Sequence, residues 1–288
     1  GGRGLEPTFC DRATVRLIRR RAVPTRPPRP RPAQPKAPVV QDDPVDIIVT
    51  ASKQNMPLDS FPGSAKIVGL DSDWLARSAA GGTAAIAAVL PTVNATNLGR
   101  GRNKIYVRGI ADSSFNGPTQ ATVGQYLGDV RLSYNAPDPD LNLYDLDRVE
   151  VLAGPQGTLY GAGSIGGIIR LVPNGPDSSS SNATASAGVS ATRFGGVGGD
   201  FAAMVNQPLA EGRMGLRAVV YGAREAGYID DPGRVRRDIN GGSNFGLRLI
   251  WRTDDVAGWT VDIGGVYQRI RTADGQYLLR GVPAPGGA

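Results

Sequence analysis

The sequence predicts a mixed α/β domain followed by antiparallel strands of a transmembrane β-barrel, too few of them to close a barrel. Three observations predict this. Residues 55–177 hold short apolar strands and helix-like segments separated by Gly, Asp and Pro turns. From residue 182 onward, longer segments alternate apolar and polar side chains with period 2. The connections between those longer segments alternate between short and long.

Composition narrows the function classes. At 288 residues, 40% hydrophobic and 20% charged, the chain has enough apolar content to fold around a core. Its 40 glycines are about twice the usual share of roughly 7% and point to many turns and close backbone approaches. The single cysteine, Cys10, excludes an internal disulfide and a Cys metal cluster. Histidine is absent, which removes the commonest metal ligand and general base and with them an ordinary catalytic triad. No catalytic residue, metal site or cofactor is assigned, and the chain reads as something other than an enzyme. The net charge of +6 is a property of the tail: residues 1–37 hold ten of the 32 basic residues and two of the 26 acidic ones, so the tail carries +8 and the remainder −2. No basic face remains to track a phosphate backbone, and no nucleic-acid partner is expected.

The elements follow in order. Residues 1–23 contain one short alternating strand, Thr14 to Ile18, which cannot bury a face by itself and reads as the end of a truncated domain. Residues 24–38 hold seven prolines in fifteen residues, an extended polyproline-type linker that runs on to residue 45. A β-prone run, Asp46-Ile47-Ile48-Val49-Thr50-Ala51, comes next. Asp71 to Ser78 has a capped helix pattern, and Thr83 to Leu90 a second one stopped by Pro91. Short strands are expected at Lys104–Arg108, Ala121–Leu127, Arg148–Leu152 and Gly167–Val172.

Beyond residue 182 the alternation is plain. Phe245, Leu247, Leu249 and Trp251 share one side of a strand, and Gly246, Arg248 and Arg252 the other. Trp259 to Arg269, Asn182 to Arg193, Val197 to Leu209 and Met214 to Arg224 behave alike. Aromatic residues, among them Tyr221, Phe245, Trp259 and Tyr267, fall near strand ends. A soluble β-sandwich also alternates. Strands of ten residues or more and the unequal connections favour a membrane barrel, with its lipid-facing side and aromatic girdle. No apolar run approaches the ~20 residues of a membrane helix, so any crossing is by strands.

Gly161-Ala-Gly-Ser-Ile-Gly166 matches the dinucleotide fingerprint, but a strand pattern follows it where that fingerprint needs a helix, so the match is rejected. The larger segment Leu146-Asp-Arg-Val-Glu-Val-Leu-Ala-Gly-Pro-Gln-Gly-Thr-Leu-Tyr-Gly-Ala-Gly-Ser-Ile-Gly-Gly-Ile-Ile-Arg-Leu-Val172 resembles the plug signature of TonB-dependent outer-membrane receptors. Leu90-Pro-Thr-Val93, Ile105-Tyr-Val-Arg-Gly-Ile110 and Tyr126-Leu-Gly-Asp-Val130 fit the same family in its order. The resemblance covers about residues 46–175 and implies an α/β plug domain, residues 52–177, followed by antiparallel transmembrane β-barrel strands, residues 182–288, with the barrel incomplete in this chain. Family barrels have about 22 strands.

The resemblance also implies roles. Asp46 to Ala51 is similar to a TonB box, which pairs as an added strand with the TonB C-terminal domain and so needs to be exposed and free of proline. Arg108, Arg148 and Glu150 match plug charges that face barrel-wall carboxylates. Ligand contacts are expected from apical segments that include Arg100, Arg102, Phe115, Gln120 and Tyr134. The N-terminal stub resembles the end of a secretin/TonB short N-terminal signalling domain, whose partner is an anti-sigma regulator. The implied function is energy-coupled uptake of a scarce nutrient, with a ferric siderophore the expected cargo, at the outer membrane of a Gram-negative bacterium. Outer-membrane lipid is then a partner, and the N-terminal segment and plug face the periplasm. The rival reading is a soluble periplasmic signalling or binding protein built on a plug-like domain.

Overall fold

In the computed structural model, residues 6–10, 14–18, 48–53, 56–61, 63–69, 74, 78–111, 119–133, 135, 137–231, 235–256 and 258–275 are described. The chain forms two compact units, residues 1–45 and 46–288. In the first, β1 (Glu6–Cys10) and β2 (Thr14–Ile18) form an antiparallel hairpin with Glu6 opposite Ile18 and Cys10 opposite Thr14. Sequence reading finds β2 alone, because Pro7 inside β1 counts against a strand. The Pro-rich linker and most of the helix expected over residues 71–78 lie outside the described residues.

The second unit begins with a two-residue ladder, β3 (Ile48–Val49) against β4 (Met56–Pro57). A five-stranded sheet follows, built from β5 (Ser64–Gly69), β8 (Val123–Leu127), β9 (Val130–Arg131), β10 (Leu146–Ala153) and β11 (Gly167–Pro173). Its order is β5-β10-β11-β8-β9, antiparallel throughout except that β11 and β8 run parallel. β6 (Val93–Ala95) and β7 (Ile105–Val107) form a separate hairpin-like pair, and α1 spans Gly82–Val89. A short helical turn, α2 (Gly157–Tyr160), sits in the Gly-rich loop between β10 and β11. The loop leads into a strand, as expected.

Both faces of this sheet are covered, which is why β10 and β11 read as nearly continuous apolar runs. Val149, Val151, Ile169 and Leu171 point to one side, into a core shared with Ile86 of α1 and Val107 of β7. Leu152, Ile168 and Tyr126 point to the other, where they pack with Val49, Ala51 and Tyr160.

The remaining strands form an open antiparallel meander: β12 (Asn182–Ala191), β13 (Val197–Leu209), β14 (Met214–Glu225), β15 (Gly242–Val256) and β16 (Trp259–Thr272). They are 10 to 15 residues long, and about 9–11 residues suffice to cross a bilayer. The expected alternation is present. Asn244, Gly246 and Arg248 are buried on the plug side while Phe245, Leu247 and Leu249 are exposed. Phe201, Val205, Val261 and Ile263 extend that exposed apolar face across the neighbouring strands. The long connection, residues 226–241, lies between β14 and β15, but residues 192–196 make an equally placed short one, so the short–long alternation holds only from β13 onward. Tyr221 is a correction. It is 1% exposed on the plug side, stacked at 5.4 Å on Tyr144, and is no part of an outer girdle. It fits because Gly246 lies opposite it on β15: a Cβ there would stand 2.2 Å from the Tyr221 ring.

Candidate functional site

On the second face of the plug sheet lies a charged latch. β10 carries Arg148 and Glu150 on one side, and Arg170 of β11 stands directly opposite Glu150 in the ladder. Glu150 is 1% exposed. A buried carboxylate needs charged and hydrogen-bonded partners, and it has them. Oε1 accepts from the Thr50 amide (3.2 Å), the Thr50 hydroxyl (2.8 Å) and Arg148 Nε (2.8 Å). Oε2 accepts from the Ala51 amide (2.6 Å) and Arg170 Nη1 (3.4 Å). Burial by itself would push the Glu150 carboxyl up. The hydrogen bonds from Thr50 and Arg148 outweigh it and hold the group below its ordinary range, charged.

The other side of the segment is equally occupied. The Thr50 hydroxyl, having donated to Glu150, accepts from Arg148 Nη2 (2.9 Å) and Arg170 Nη1, which uses its full capacity. Tyr160 of α2 donates its hydroxyl to the Ala51 carbonyl (2.5 Å) and is braced edge-on by Tyr126 at 4.8 Å. Burial pushes the Tyr160 hydroxyl up to about 12, so it remains a donor. Lys53 closes a turn on Thr50 (2.9 Å) and lies 5.1 Å over the Tyr160 ring.

A second polar cluster joins the plug to the strands. Asp140 binds Arg100 Nε (2.9 Å) and caps α1 by accepting from the Thr83 amide (3.0 Å). A Cβ on Gly82 would meet the same carboxylate at 2.2 Å, and its φ of 54 suits glycine. Arg100 continues to Glu225 of β14 (3.0 Å). Asp145 binds Arg217 of β14 (2.6 Å) and Arg248 of β15 (3.4 Å), and Tyr144 donates to Asp200 of β13 (2.8 Å). Beside this cluster a cavity of about 280 Å³ is lined by Lys104, Gln125, Ser133, Asn135 and Asp138 among others.

The structure relocates several expected residues. Arg148 and Glu150 face residues 48–52, not the strands β12–β16. Their partners are about 100 residues away in sequence, and spacing does not reveal them. Thr50 and Ala51 are in the latch and Val49 is fully buried, so the segment expected to be exposed is docked; Asp46 and Ile47 lie outside the described residues. Arg108 is exposed in the turn after β7, at φ 53. Arg100, expected at a ligand surface, is 8% exposed and braces the plug against β14. Arg102 and Gln120 are exposed, Gln120 bridging to Asn135; Phe115 and Tyr134 lie outside the described residues. Sequence reading missed Arg170, Tyr160, Asp140 and Asp145. Arg170 had a signal: it is a lone charge inside Ile168-Ile-Arg-Leu-Val172, a run that reads as buried.

A family model for the TonB-dependent receptor plug domain matches residues 57–168. Over that stretch the chain is similar to the plug domain of TonB-dependent receptors. A pesticin receptor of Yersinia pestis is 35% identical over 150 residues, which is 51% of this chain and 21% of that one. A pesticin receptor of Yersinia enterocolitica matches to the same extent. Among solved structures, the ferric yersiniabactin uptake receptor of Yersinia pestis has a TM-score of 0.59 at 24% identity, over 72% of this chain and 31% of that one. The ferripyoverdine receptor of the outer membrane of Pseudomonas aeruginosa gives 0.59 at 17% identity, over 93% of this chain and 31% of that one. At these identities the likeness is one of fold: a plug domain followed by antiparallel barrel strands. The plug signature in Leu146–Val172 therefore read correctly, and the five strands are an open part of a barrel wall.

Proposed function

We propose that this chain supplies the plug and the first wall strands of an energy-coupled outer-membrane receptor that imports a ferric siderophore. The observation that carries the reading is the docked segment. A β-prone stretch just ahead of the plug is held by polar contacts to Glu150 and Tyr160, which a competing strand is able to replace. Residues 46–51 serve as the TonB box: cargo bound on the outer side frees them, and they pair with the TonB C-terminal domain in the periplasm. The names of the structural neighbours, receptors for ferric yersiniabactin, ferripyoverdine and ferric enterobactin, support the cargo class. Residues 1–23 serve as the end of a signalling domain that contacts an anti-sigma regulator, and residues 24–45 tether it. The exposed apolar side chains of β13, β15 and β16 favour a lipid-facing wall over a soluble regulator.

The test is a titration of the TonB C-terminal domain with a peptide spanning Gln41 to Met56, beside the same peptide carrying Ile48→Pro. Saturable binding that the proline abolishes supports the reading. No binding by the parent peptide overturns it. The cargo class is checked by titrating the detergent-held chain with ferric siderophores beside cobalamin and haem; tighter binding of either of the latter sinks the siderophore assignment.

A further inference from the structure

Two consecutive backbone amides, those of Thr50 and Ala51, converge on the two oxygens of Glu150, at 3.2 and 2.6 Å. In an extended strand consecutive N–H groups point to opposite edges, as consecutive side chains point to opposite faces. Convergence on one anion belongs to a curved backbone, in which successive N–H groups form a concavity for negative charge. The curve continues into the turn closed by the Lys53 amide on the Thr50 carbonyl (2.9 Å), with Lys53 at φ 58. Ahead of it, Ile48 and Val49 are paired to Pro57 and Met56. The stretch that strand addition requires to be straight and unpaired is bent by a carboxylate and paired within its own chain.

The docking combines a small apolar contact with a dense set of polar bonds. Among residues 49–52 the buried hydrophobic side chains are Val49 and Ala51, both small. The polar side is dense: Glu150, Arg148, Arg170 and Tyr160 all bind Thr50 or Ala51. Glu150 stays charged while buried because Thr50 and Arg148 bind it, and Arg170 faces it as well. Arg170 is shared. Its Nε also binds the Gly128 carbonyl (2.8 Å) and its Nη2 the Asp129 carboxylate (3.3 Å), so the β8–β9 turn holds one of the two cations that face the carboxylate.

We propose that the Glu150 carboxylate is the lock on strand addition: it holds residues 50–51 in the curved form, and the TonB partner gains its strand only when those two amides leave it. This rests on the reading of residues 46–51 as the TonB-pairing segment. Arg170 is a positioning residue for the lock, and displacement of the Gly128–Asp129 turn weakens it.

The experiment compares the full chain in detergent with its Glu150→Gln and Val151→Ala variants. Val151 is the neighbour of Glu150 whose side chain points to the opposite face, into the other core, so its truncation loosens the plug without touching the latch. Two readouts are taken: titration with the TonB C-terminal domain, and the rate of tryptic cleavage after Lys53, which is exposed at the end of the docked segment. The expected result is that Glu150→Gln binds about tenfold or more tightly than the parent chain, approaches the affinity of the free Gln41–Met56 peptide, and is cleaved faster after Lys53 by a similar factor. Val151→Ala changes neither. The lock is overturned if Glu150→Gln matches the parent chain in cleavage and in affinity while the peptide binds tightly. It is equally overturned if Val151→Ala releases the segment as far as Glu150→Gln does. Failure of the peptide to bind at all sinks the pairing reading by itself, and the cleavage rate then decides the lock independently.

Discussion

The two faces of the plug sheet are held in different ways. On one, Val149, Val151, Ile169 and Leu171 merge with α1 and with Ala202, Met204, Val219 and Tyr221 of the barrel strands in a single apolar core. On the other, a small apolar cluster sits beside Glu150, Arg148 and Arg170, which grip two residues of an incoming segment. Apolar burial is non-directional and grows with area, so a partner on the first face is detached only by exposing much of it. Hydrogen bonds and ion pairs are directional and exchangeable: a competing strand or water replaces them one for one, at a net cost near that of the individual bonds. The apolar attachment is therefore suited to stay and the polar one to be released. Charge is present on the first face too, at its margin, where Asp145 and Arg100 tie the plug to β14 and β15.

Breaking the permanent side should have the largest effect. Asp145→Ala leaves Arg217 and Arg248, both largely buried, without their carboxylate. Loss of one partner of a buried pair costs about 3–5 kcal/mol, so the urea midpoint of the detergent-held chain should fall markedly while tryptic cleavage after Lys53 is unchanged. Gly246→Ala should come next. Its Cβ would collide with the Tyr221 ring, and such overpacking costs about 1–3 kcal/mol; a lowered thermal midpoint checks it, and an unchanged one would show that the Tyr221–Tyr144 contact is dispensable. Tyr160→Phe weakens the releasable side. It removes the bond to the Ala51 carbonyl, worth about 0.5–1.5 kcal/mol, so cleavage after Lys53 should quicken a few-fold with the urea midpoint held.

The smallest effect near neutrality is that of pH. The charged groups facing Glu150 are Arg148 on its own strand and Arg170 on β11, with Asp129, Lys53 and Tyr160 around them. Because the docked carboxyl is held below its ordinary value of 4.5, its contribution is fully present above that value and is lost as pH falls through the lowered one. Amide-exchange protection of Thr50 and Ala51, corrected for intrinsic rates, should be flat from pH 7 to about 5 and decline below. A decline already at pH 6 would assign the switch to another group.

Legibility varied with the range of the interaction. The bounds of β13, Val197 to Leu209, were readable from alternation, as was the plug signature in Leu146–Val172. β5 was not: Ser64–Gly69 is short and weakly patterned, and it becomes a strand because β10 offers it an edge. Arg148 and Glu150 were expected to face the barrel wall; in the structure they bind Thr50 and Ala51, about 100 residues away in sequence. Arg100 was placed at a surface, since a loop arginine between glycines looks solvated until Asp140 and Glu225 close over it.

The amino-acid pattern alone carried the periods: the long strands from residue 182 onward, which side of β15 is apolar and which polar, and where turns interrupt them. Those follow from local backbone geometry, in which side chains alternate residue by residue. Which charge meets which came from the folded chain. Thr50 and Glu150, or Asp145 and Arg217, come together because strands far apart in the chain are neighbours in space, and the low polarizability of the interior then makes each such pairing obligatory.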